Sequence, residues 1–558
     1  MNKVLEIKGL TIGFPGKGDL VKNLSLSINR GELHGLIGES GSGKSLTALS
    51  IIGLLPRNCS IKNGSILLHS KGEVTDLVHL PMNEMRSLRG REVGFVFQDP
   101  MTALNPVLRC GKQVEEAISQ HRKLSASELK KEVLKLFAQV RLPDPEKAYY
   151  SYPHQVSGGQ RQRILIAQAI SCKPKLLIAD EITTALDVEI QVTVMELLAD
   201  LRRSLDVGIL FISHDLGLVG HYADEISIMH RGQIVESGPK ESILKNPKEA
   251  YTKGLLACRP PVDKKIDRLP TVEDFLLSTG EVVTKEVSSS GQNSLVKEIL
   301  VVKGLSTFYP MKTGLFGQVT KEFQALKEVS FKVLKGESLG LVGESGSGKS
   351  SLGRALLHLV ETRSGEVFYQ DHRIGEMTEK EFRQWRRKIQ FIFQDPYSSL
   401  NPKISVGDAL IEVLKIHGLH GNAANRKQRC LDLLAQVGLE PADYDKYPHQ
   451  FSGGQRQRVV IARALAVEPE FIVCDEAVSA LDVSVQAQIL NLLKDLKSTY
   501  QLTYLFITHD MSVVRFFCDR VIVMKEGELV EENSTEQLFE NPEHPYSKKL
   551  IDITKSMA

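Results

Sequence analysis

The chain has 558 residues, of which 42% are hydrophobic and 25% are charged, and its formal net charge is +2. A single hydrophobic core stops growing at about 250–300 residues, so we expect at least two domains, and the near-neutral charge gives no argument for a nucleic-acid partner. No apolar run approaches the roughly 18 residues of a membrane span and the first residues do not begin a signal peptide, so a membrane role requires a partner that supplies the spans.

Seven cysteines are scattered along the chain without a C-x-x-C pair. An odd, dispersed set predicts free thiols in a reducing compartment rather than a disulfide framework or a zinc site. The cysteines are Cys59, Cys110, Cys172, Cys258, Cys430, Cys474 and Cys518.

A glycine-rich octapeptide follows a short apolar run at 33–37, which predicts a buried strand, and precedes a run with helical spacing. The octapeptide recurs unchanged in the second half, and both copies fit the phosphate-binding pattern G-x-x-x-x-G-K-[ST]. A strand, a glycine turn and a helix N-terminus aim several N–H groups at one point, so we expect a triphosphate to bind there. The lysine would contact the β- and γ-phosphates, and the serine would bind Mg²⁺. A glycine turn that binds nothing is the alternative, and two identical copies make it negligible. The copies are Gly38-Glu39-Ser40-Gly41-Ser42-Gly43-Lys44-Ser45 and Gly343-Glu344-Ser345-Gly346-Ser347-Gly348-Lys349-Ser350.

The two halves of the chain repeat each other, which predicts one duplicated domain. Lys349 follows Lys44 by 305 residues, whereas Ser452 follows Ser157 by 295, so the second copy is shorter, mostly in the stretch that matches residues 63–81. We predict domains over 1–258 and 299–558. The stretch 259–298 between them contains prolines, six basic and seven acidic residues, which is typical of a solvated linker.

Short apolar runs alternate with helical patterns in each copy, which predicts an α/β fold. Runs such as 176–179 and 209–212 are typical of buried strands in a largely parallel sheet. Residues 114–140 and 406–437 carry apolar residues at helical spacing. We therefore predict a helical subdomain inserted into each α/β core.

Two further motifs follow each phosphate loop. A glutamine, Gln98 or Gln394, ends an apolar strand, where its amide can reach Mg²⁺; a surface glutamine is the alternative. A serine followed by two glycines then opens a helix, which makes a second anion-binding N-terminus. An ordinary capped loop is the alternative, and the long duplicated match makes it improbable. The match runs Tyr152-Pro153-His154-Gln155-Val156-Ser157-Gly158-Gly159-Gln160-Arg161-Gln162-Arg163 and Tyr447-Pro448-His449-Gln450-Phe451-Ser452-Gly453-Gly454-Gln455-Arg456-Gln457-Arg458.

At these residues the chain resembles the tandem ATP-binding-cassette ATPases, because the two stretches match the signature motif of that family. The resemblance implies two tandem P-loop NTPase domains that bind ATP and Mg²⁺ and hydrolyse ATP. It also implies that the phosphate loop of one domain and the signature helix of the other hold one ATP, so that Lys44 shares a nucleotide with Ser452, and Lys349 with Ser157. The two ATPase domains of one chain would then pair with each other.

Two adjacent carboxylates end a buried strand in each copy, at Asp180 and Glu181 and at Asp475 and Glu476. Such a strand places the first carboxylate on Mg²⁺ and the second against the attacking water; a pair that caps the next helix is the alternative. The resemblance makes the two aspartates the Walker B residues and the two glutamates the catalytic bases. A proline usually follows this glutamate in the family, whereas isoleucine or alanine stands here.

Three smaller matches complete the predicted site. A histidine follows the next strand in each copy and matches the switch histidine of the family, which contacts the γ-phosphate; a structural histidine is the alternative. A D-loop aspartate and an early aromatic residue that offers a ring to adenine are also present, although an isolated aromatic is usually part of a core. These residues are His214 and His509, Asp187 in Ala185-Leu186-Asp187 and Asp482 in Ala480-Leu481-Asp482, and Phe14 and Tyr309.

A narrower resemblance is to the ATPase subunits of bacterial oligopeptide, dipeptide and nickel importers, here with two subunits fused. It implies import of peptides or peptide-like solutes through two separate membrane permeases and a solute-binding protein, with the chain bound peripherally at the cytoplasmic face of the inner membrane. The helical subdomains would then bind permease loops. Some relatives carry an iron–sulfur cluster on a cysteine-rich tail, which we do not expect here. The resemblance rests on residues 98–106 and 394–402 and on the tails Asn246-Pro247-Lys248-Glu249-Ala250-Tyr251-Thr252 and Asn541-Pro542-Glu543-His544-Pro545-Tyr546-Ser547.

Two other functions fit a tandem cassette chain. A translation factor that acts on ribosomes would carry a long, basic helical linker, whereas this linker contains prolines and has more acidic than basic residues. A DNA-repair cassette ATPase would carry zinc-binding cysteine pairs, which this sequence lacks. We therefore expect the importer ATPase.

Overall fold

The computed structural model describes residues 3–16, 18–70, 72–183, 187–277, 297–313, 319–479 and 481–556. These residues form two units that repeat the same architecture. The first contains 3–257 and 272–277, and the second contains 258–271 and 297–556, with the gaps given above.

The elements of the first unit include strands at the three apolar runs named above, 33–37, 176–179 and 209–212. They are β1 (Lys3–Gly13), β2 (Asp19–Asn29), β3 (Leu33–Ile37), α1 (Lys44–Ile51), β4 (Ser60–Ser70), β5 (Glu73–Asp76), α2 (Met82–Leu88), β6 (Val93–Val96), α3 (Pro100–Ala103), α4 (Cys110–Ser119), α5 (Ala126–Gln139), α6 (Pro145–Tyr150), α7 (Gly158–Ile170), β7 (Leu176–Asp180), α8 (Val188–Leu205), β8 (Gly208–Ser213), α9 (Leu216–Tyr222), β9 (Glu225–His230), β10 (Gln233–Pro239), α10 (Lys240–Lys245), α11 (Ala250–Ala257) and α12 (Val272–Leu277).

Among its described residues, the second unit repeats this order without α-helices that correspond to α3, α6 and α12. Its elements are β11 (Glu298–Thr313), β12 (Val319–Leu334), β13 (Ser338–Val342), α13 (Lys349–Leu356), β14 (Ser364–Tyr369), β15 (His372–Arg373), α14 (Glu379–Lys388), β16 (Ile389–Ile392), α15 (Val406–Ile416), α16 (Ala423–Gln436), α17 (Gly453–Leu465), β17 (Phe471–Asp475), α18 (Val483–Tyr500), β18 (Thr503–Thr508), α19 (Met511–Phe517), β19 (Arg520–Lys525), β20 (Glu528–Ser534), α20 (Thr535–Glu540) and α21 (Pro545–Ser556).

Each unit has two sheets. A six-stranded sheet has the order β10-β9-β3-β8-β7-β6 in the first unit and the equivalent order β20-β19-β13-β18-β17-β16 in the second, with all pairs parallel except the one at the β10 or β20 edge. A four-stranded antiparallel sheet, β2-β1-β4-β5 or β12-β11-β14-β15, lies beside it. The predicted largely parallel core is thereby confirmed.

The main core of each unit joins both sheets to the helix that follows the phosphate loop. In the first unit, Ile7 of β1, Ile51 of α1 and Ile178 of β7 belong to one buried cluster. In the second, Leu300 of β11, Leu352 of α13 and Val473 of β17 do the same. The strand before the loop, β3 or β13, is buried at every position. The phosphate loop is therefore fixed at both ends by packed elements.

The predicted helical subdomain is present between β6 and β7 and between β16 and β17. The helical pattern over 114–140 divides into α4 and α5. The break occurs because Ser125 starts a new helix with a capping box, in which its Oγ accepts the Glu128 N–H and the Glu128 carboxylate accepts the Ser125 N–H.

Residues within the predicted linker pack against the second unit. The 258–271 segment buries Val262, Ile266 and Leu269. Asn491 of α18, which is 3% exposed, donates from Nδ2 to the Leu269 carbonyl over 2.8 Å and accepts the Leu269 N–H over 3.0 Å. Lys494 donates to the Asp267 carbonyl over 2.7 Å. The backbone of this segment is thus paired by side chains of α18.

The next helix, α12, belongs to the first unit. It approaches α11 so closely that a Cβ on Gly254 would lie 2.9 Å from the Val272 Cα. The predicted linker therefore contains two packed stretches, and its remainder, 278–296, lies outside the described residues. Among the described residues, no helix combines the length and apolar character that crossing a membrane requires.

We expect Asn491→Ala to loosen the 258–271 segment. The substitution leaves the buried backbone N–H and C=O of Leu269 unpaired, which costs about 1–3 kcal/mol. Trypsin should then cleave the full chain after Arg268 roughly tenfold faster or more. Asn425→Ala on the exposed face of α16 is the control and should leave the cleavage rate unchanged. Equal cleavage rates in the two variants would contradict a docked segment.

Candidate functional site

The two phosphate loops have the geometry that their sequence predicts. Each begins at the end of a buried strand, β3 or β13, and leads into a helix, α1 or α13. A Cβ on Gly38 would lie 2.1 Å from the Met229 carbonyl oxygen, and Gly43 caps α1 with φ +105°. Only glycine fits these two positions, so the observed loop conformation depends on both glycines.

The lysine of each loop is buried inside it. Lys44, 4% exposed, donates from Nζ to the carbonyls of Gly38 and Glu39 over 2.7 and 3.0 Å. Lys349 donates to the equivalent carbonyls of Gly343 and Glu344 over 2.6 and 2.8 Å. Lys44 Nζ also lies 3.4 Å from Glu181 Oε1. Phosphate oxygens would offer each ammonium charge-assisted hydrogen bonds, which are stronger than those to the neutral carbonyls.

The serine that follows each lysine is paired with the predicted Walker B aspartate. Ser45 Oγ donates to Asp180 Oδ1 over 3.0 Å, and Ser350 Oγ donates to Asp475 Oδ1 over 2.8 Å. Burial raises the pKa of Asp180 to about 6 and also raises the pKa of Asp475. A hydroxyl and a desolvated carboxylate side by side are oxygen ligands that suit a hard divalent cation.

The two predicted catalytic glutamates share an unusual backbone conformation. Glu181 and Glu476 both have φ +48°, in the left-handed region that side chains other than glycine rarely adopt. Each donates its N–H to the neighbouring strand, at Ile212 O or Ile507 O, over 3.0 Å. Strained backbone of this kind is typical of functional sites, and here it occurs at the residue that directly follows β7 or β17.

The predicted glutamine of each unit contacts this glutamate. Gln98 Nε2 donates to Glu181 Oε2 over 2.8 Å, and Gln394 Nε2 donates to Glu476 Oε2 over 2.7 Å. The sequence predicted that these glutamines face a metal ion, and the observed contact places them within one hydrogen bond of the predicted base. Their role as metal ligands stays a prediction.

The predicted switch histidines follow the strand next to the glutamates. His509 Nδ1 lies 3.5 Å from Glu476 Oε1. Burial would raise the pKa of Glu476, but the hydrogen bond and charge of His509 and the charge of Lys349 hold it below its ordinary value. The base is therefore ionised and able to accept a proton. His214 occupies the equivalent position directly after β8.

The predicted signature serines begin helices, as the sequence indicated. Ser157 Oγ accepts the Gln160 N–H over 3.3 Å at the start of α7, and Ser452 does the same with Gln455 at the start of α17. The second glycine of the motif is needed because a Cβ on Gly159 would lie 2.9 Å from Ile190 of α8. Ser157 and Ser452 thus cap helices held close to α8 and α18.

The other predicted residues are placed as follows. Phe14 directly follows β1 and Tyr309 lies in β11, both half-buried. Asp187 and Asp482 precede α8 and α18 as their N-cap residues. Ala185, Leu186 and Ala480 of the predicted D-loops lie outside the described residues. The remaining predicted residues, Ser40, Gly41, Ser42, Ser345, Gly346, Ser347, Gly348, Gly158 and Gly453, lie within the phosphate loops or at the starts of α7 and α17.

Two kinds of contact were not predicted. Ser479 Oγ donates to the Glu476 carbonyl over 3.0 Å and to its Oε2 over 3.3 Å. The hydroxyl groups of Tyr251 and Tyr546 accept the N–H groups of Glu39 and Glu344 in the phosphate loops. The tyrosines belong to the repeated Asn-Pro tail motif, so their recurrence was a signal, but no local pattern connects them to loops 212 and 202 residues away.

Family models match both units. The ABC transporter model matches residues 21–184 and 326–479. The model of the oligopeptide/dipeptide transporter C-terminal region matches residues 235–282 and 530–558, which include both tails.

Curated relatives match nearly the whole chain. The glutathione import ATP-binding protein GsiA of Salmonella choleraesuis is 46% identical over 98% of this chain and 89% of the relative, and that of Escherichia coli K12 is 44% identical with the same coverage. A solved dimer of the ATP-binding cassette MJ0796 bound to ADP and Pi is 32% identical over 42% of this chain and 98% of its own, with a TM-score of 0.38. The chain therefore belongs to the ATP-binding-cassette transporter ATPases of the oligopeptide and dipeptide importer type, and its activity is ATP hydrolysis.

Proposed function

We propose that this chain hydrolyses ATP to drive the import of peptides or peptide-like solutes through two separate membrane permeases. A solute-binding protein would deliver the solute to these permeases. The observation that carries the proposal is that the oligopeptide/dipeptide C-terminal region follows both cassettes of one chain. The fused chain then replaces the two ATPase subunits of such an importer. We place it peripherally at the cytoplasmic face of a bacterial inner membrane, where its permeases would hold it.

We further propose that each cassette holds Mg²⁺ with ATP. The residues that would hold the ion are Ser45, Gln98 and Asp180 in the first unit and Ser350, Gln394 and Asp475 in the second. Their oxygens are of the kind that Mg²⁺ prefers, and the serine and aspartate are already within hydrogen-bond distance. A bound Mg²⁺ would neutralise phosphate charge, while Lys44 or Lys349 orients the phosphates and Glu181 or Glu476 accepts the proton of the attacking water.

The experiment that tests the importer proposal is uptake into vesicles that contain the full chain together with its two proposed permeases. Because the relatives are named for glutathione import, glutathione is the first solute to test, followed by dipeptides and Ni²⁺. We expect ATP-dependent accumulation of a peptide-like solute, lost in the variant with Lys44→Ala and Lys349→Ala. Co-sedimentation with ribosomes without uptake would instead support a translation factor.

The helical subdomains are the proposed permease-binding surfaces. Large apolar side chains are exposed in or beside each of them: Val107 is 76% exposed and Leu108 42% in the first unit, and Ile416 is 59% exposed in the second. Exposed apolar groups of this kind mark binding surfaces. The subdomains also follow the glutamine that contacts the catalytic glutamate, so the nucleotide state can bias the docked surface.

We expect Val107→Asp with Ile416→Asp to weaken co-purification of the permeases while leaving the basal ATP hydrolysis of the isolated chain unchanged. A charge placed in an apolar contact is costly to desolvate. Val74→Asp with Leu359→Asp is the matched control, because these residues are 57% and 49% exposed but lie outside the helical subdomains. Equal co-purification of both pairs, or permease crosslinks only on the core strands, would overturn this assignment.

A further inference from the structure

A short tail follows the six-stranded sheet of each unit. It consists of a short helix, the Asn-Pro motif and a second helix, as α10 and α11 in the first unit and α20 and α21 in the second. Its placement repeats between the units, from its anchor on the sheet to its contact with the phosphate loop. Because the same contact between tail and phosphate loop occurs in both units, we ask what it does for the loop.

A glutamate on the edge strand anchors each tail. Glu236 of β10 accepts the backbone N–H groups of Lys248 and Glu249 over 2.8 and 3.3 Å. Glu531 of β20 accepts those of Glu543 and His544, both over 2.9 Å. Burial would raise the pKa of each glutamate, but the hydrogen bonds that it accepts hold its pKa below the ordinary value. The charged carboxylates fix the start of α11 and α21 on the sheet.

A tyrosine one turn further along reaches the phosphate loop. Tyr251 is 3% exposed and its hydroxyl accepts the Glu39 N–H over 3.3 Å. Tyr546 is 6% exposed and accepts the Glu344 N–H over 3.0 Å. Each ring packs against the last residue of the strand that pairs with the edge strand. The ring centroids of His230, at the end of β9, and Tyr251 lie 4.0 Å apart, and Lys525 Nζ, at the end of β19, lies 5.2 Å from the centroid of the Tyr546 ring. The hydroxyl groups are therefore held in place by packing.

The tyrosine and the lysine bind opposite ends of one peptide group. The Gly38–Glu39 peptide donates its N–H to Tyr251 and accepts Lys44 Nζ at its carbonyl, over 2.7 Å. The Gly343–Glu344 peptide is bound in the same way by Tyr546 and Lys349. Hydrogen bonds at the two ends of a peptide group polarise it and strengthen each other. The hydroxyl thus helps to fix the peptide on which the phosphate-binding lysine rests.

We propose that Tyr251 and Tyr546 are positioning residues of the two ATP sites, which preorganise the phosphate loops and make each C-terminal tail part of its nucleotide site. A preorganised loop binds phosphate more tightly because less order has to be imposed on binding. The inference rests on the proposed assignment of the phosphate loops to ATP. By linkage, a nucleotide that favours the ordered loop also favours the docked tail.

The test is Tyr251→Phe with Tyr546→Phe in the full chain, which removes two hydroxyl groups and keeps both rings. We expect the affinity for ADP to fall about two- to tenfold at each site, the usual effect of losing one hydrogen bond. KM for ATP should rise by the same factor with little change in kcat. ADP should also slow amide hydrogen exchange in α11 and α21 of the parent chain, and this protection should shrink in the variant.

Tyr369→Phe is the matched control, since it removes another buried phenol hydroxyl, in β14, and should change none of these measurements. Lys44→Ala with Lys349→Ala tests the underlying assignment, because it should abolish tight ADP binding. Suppose that the double lysine substitution weakens ADP binding, whereas the double tyrosine substitution leaves both ADP affinity and exchange protection unchanged. The positioning role of the tyrosines is then wrong, while the assignment of the phosphate loops to ATP stands. If the variant with both lysines replaced binds ADP as tightly as the parent chain, the assignment of the phosphate loops to ATP itself fails.

Discussion

Glu181→Gln together with Glu476→Gln is expected to lower ATP turnover by about 10²–10⁴-fold, the usual effect of losing a general base. Glutamine keeps the shape of the side chain and its hydrogen-bonding reach, so the left-handed backbone at φ +48° and the contact with Gln98 or Gln394 need not change. The substitution removes only the negative charge that accepts the proton. ATP should therefore still bind, which equilibrium binding of a labelled nucleotide measures beside phosphate release.

The two single variants and one control make this prediction specific. Because both units hold the glutamate in the same conformation and with the same glutamine contact, each single variant should lower turnover. Glu468→Gln is the control: Glu468 also has a left-handed φ, +56°, but it lies in the turn after α17. If Glu181→Gln hydrolyses ATP at the parent rate while Glu476→Gln does not, the first site is structural only.

Lys44→Ala with Ser157→Ala is expected to abolish nearly all ATP hydrolysis, whereas Lys44→Ala with Ser452→Ala should retain about the activity of Lys44→Ala alone. The proposal behind this is the one the family resemblance implies, in which Lys44 and Ser452 serve one nucleotide and Lys349 and Ser157 serve the other. The first pair of substitutions then damages both sites, and the second pair damages one site twice. A second helix N-terminus adds donors where negative charge develops during phosphoryl transfer.

Steady-state phosphate release from the three single variants (Lys44→Ala, Ser157→Ala and Ser452→Ala) and the two double variants measures this difference. Both double variants contain the same substitution types, so each serves as the control for the stability of the other. The opposite order of activities would mean that each cassette completes its site with its own signature serine. Equal activities of the two double variants would show that neither serine contributes to hydrolysis.

The sequence was sufficient for those parts of the site that local chemistry determines. The glycines at 38 and 43 are required by backbone geometry, the serines at 157 and 452 cap helices, and the carboxylates at 180 and 181 end a buried strand. Each of these is visible as a short pattern because the residues that cause it are neighbours in the chain. Duplication of the patterns removed most of the remaining alternatives.

Contacts between distant residues could not be predicted in this way. The Gln98–Glu181 pair spans 83 residues and the Tyr251–Glu39 pair spans 212, and no periodicity in the sequence connects their members. The packing of the 258–271 segment could not be predicted from its composition either. Its charges and prolines indicated a solvated linker, whereas Val262, Ile266 and Leu269 supply the apolar contacts that pack it.

The docking of the 258–271 segment has a consequence for synthesis of the chain on the ribosome. Leu269 is made 222 residues before Asn491, whose side chain pairs its backbone. At about 5–20 residues per second, the segment leaves the ribosome roughly 10–45 s before its binding surface on α18 exists. During that interval Val262, Ile266 and Leu269 lack the partners that bury them. Nascent chains halted between the two cassettes should accordingly be bound by chaperones at this segment, and released chains that contain the folded second cassette should not.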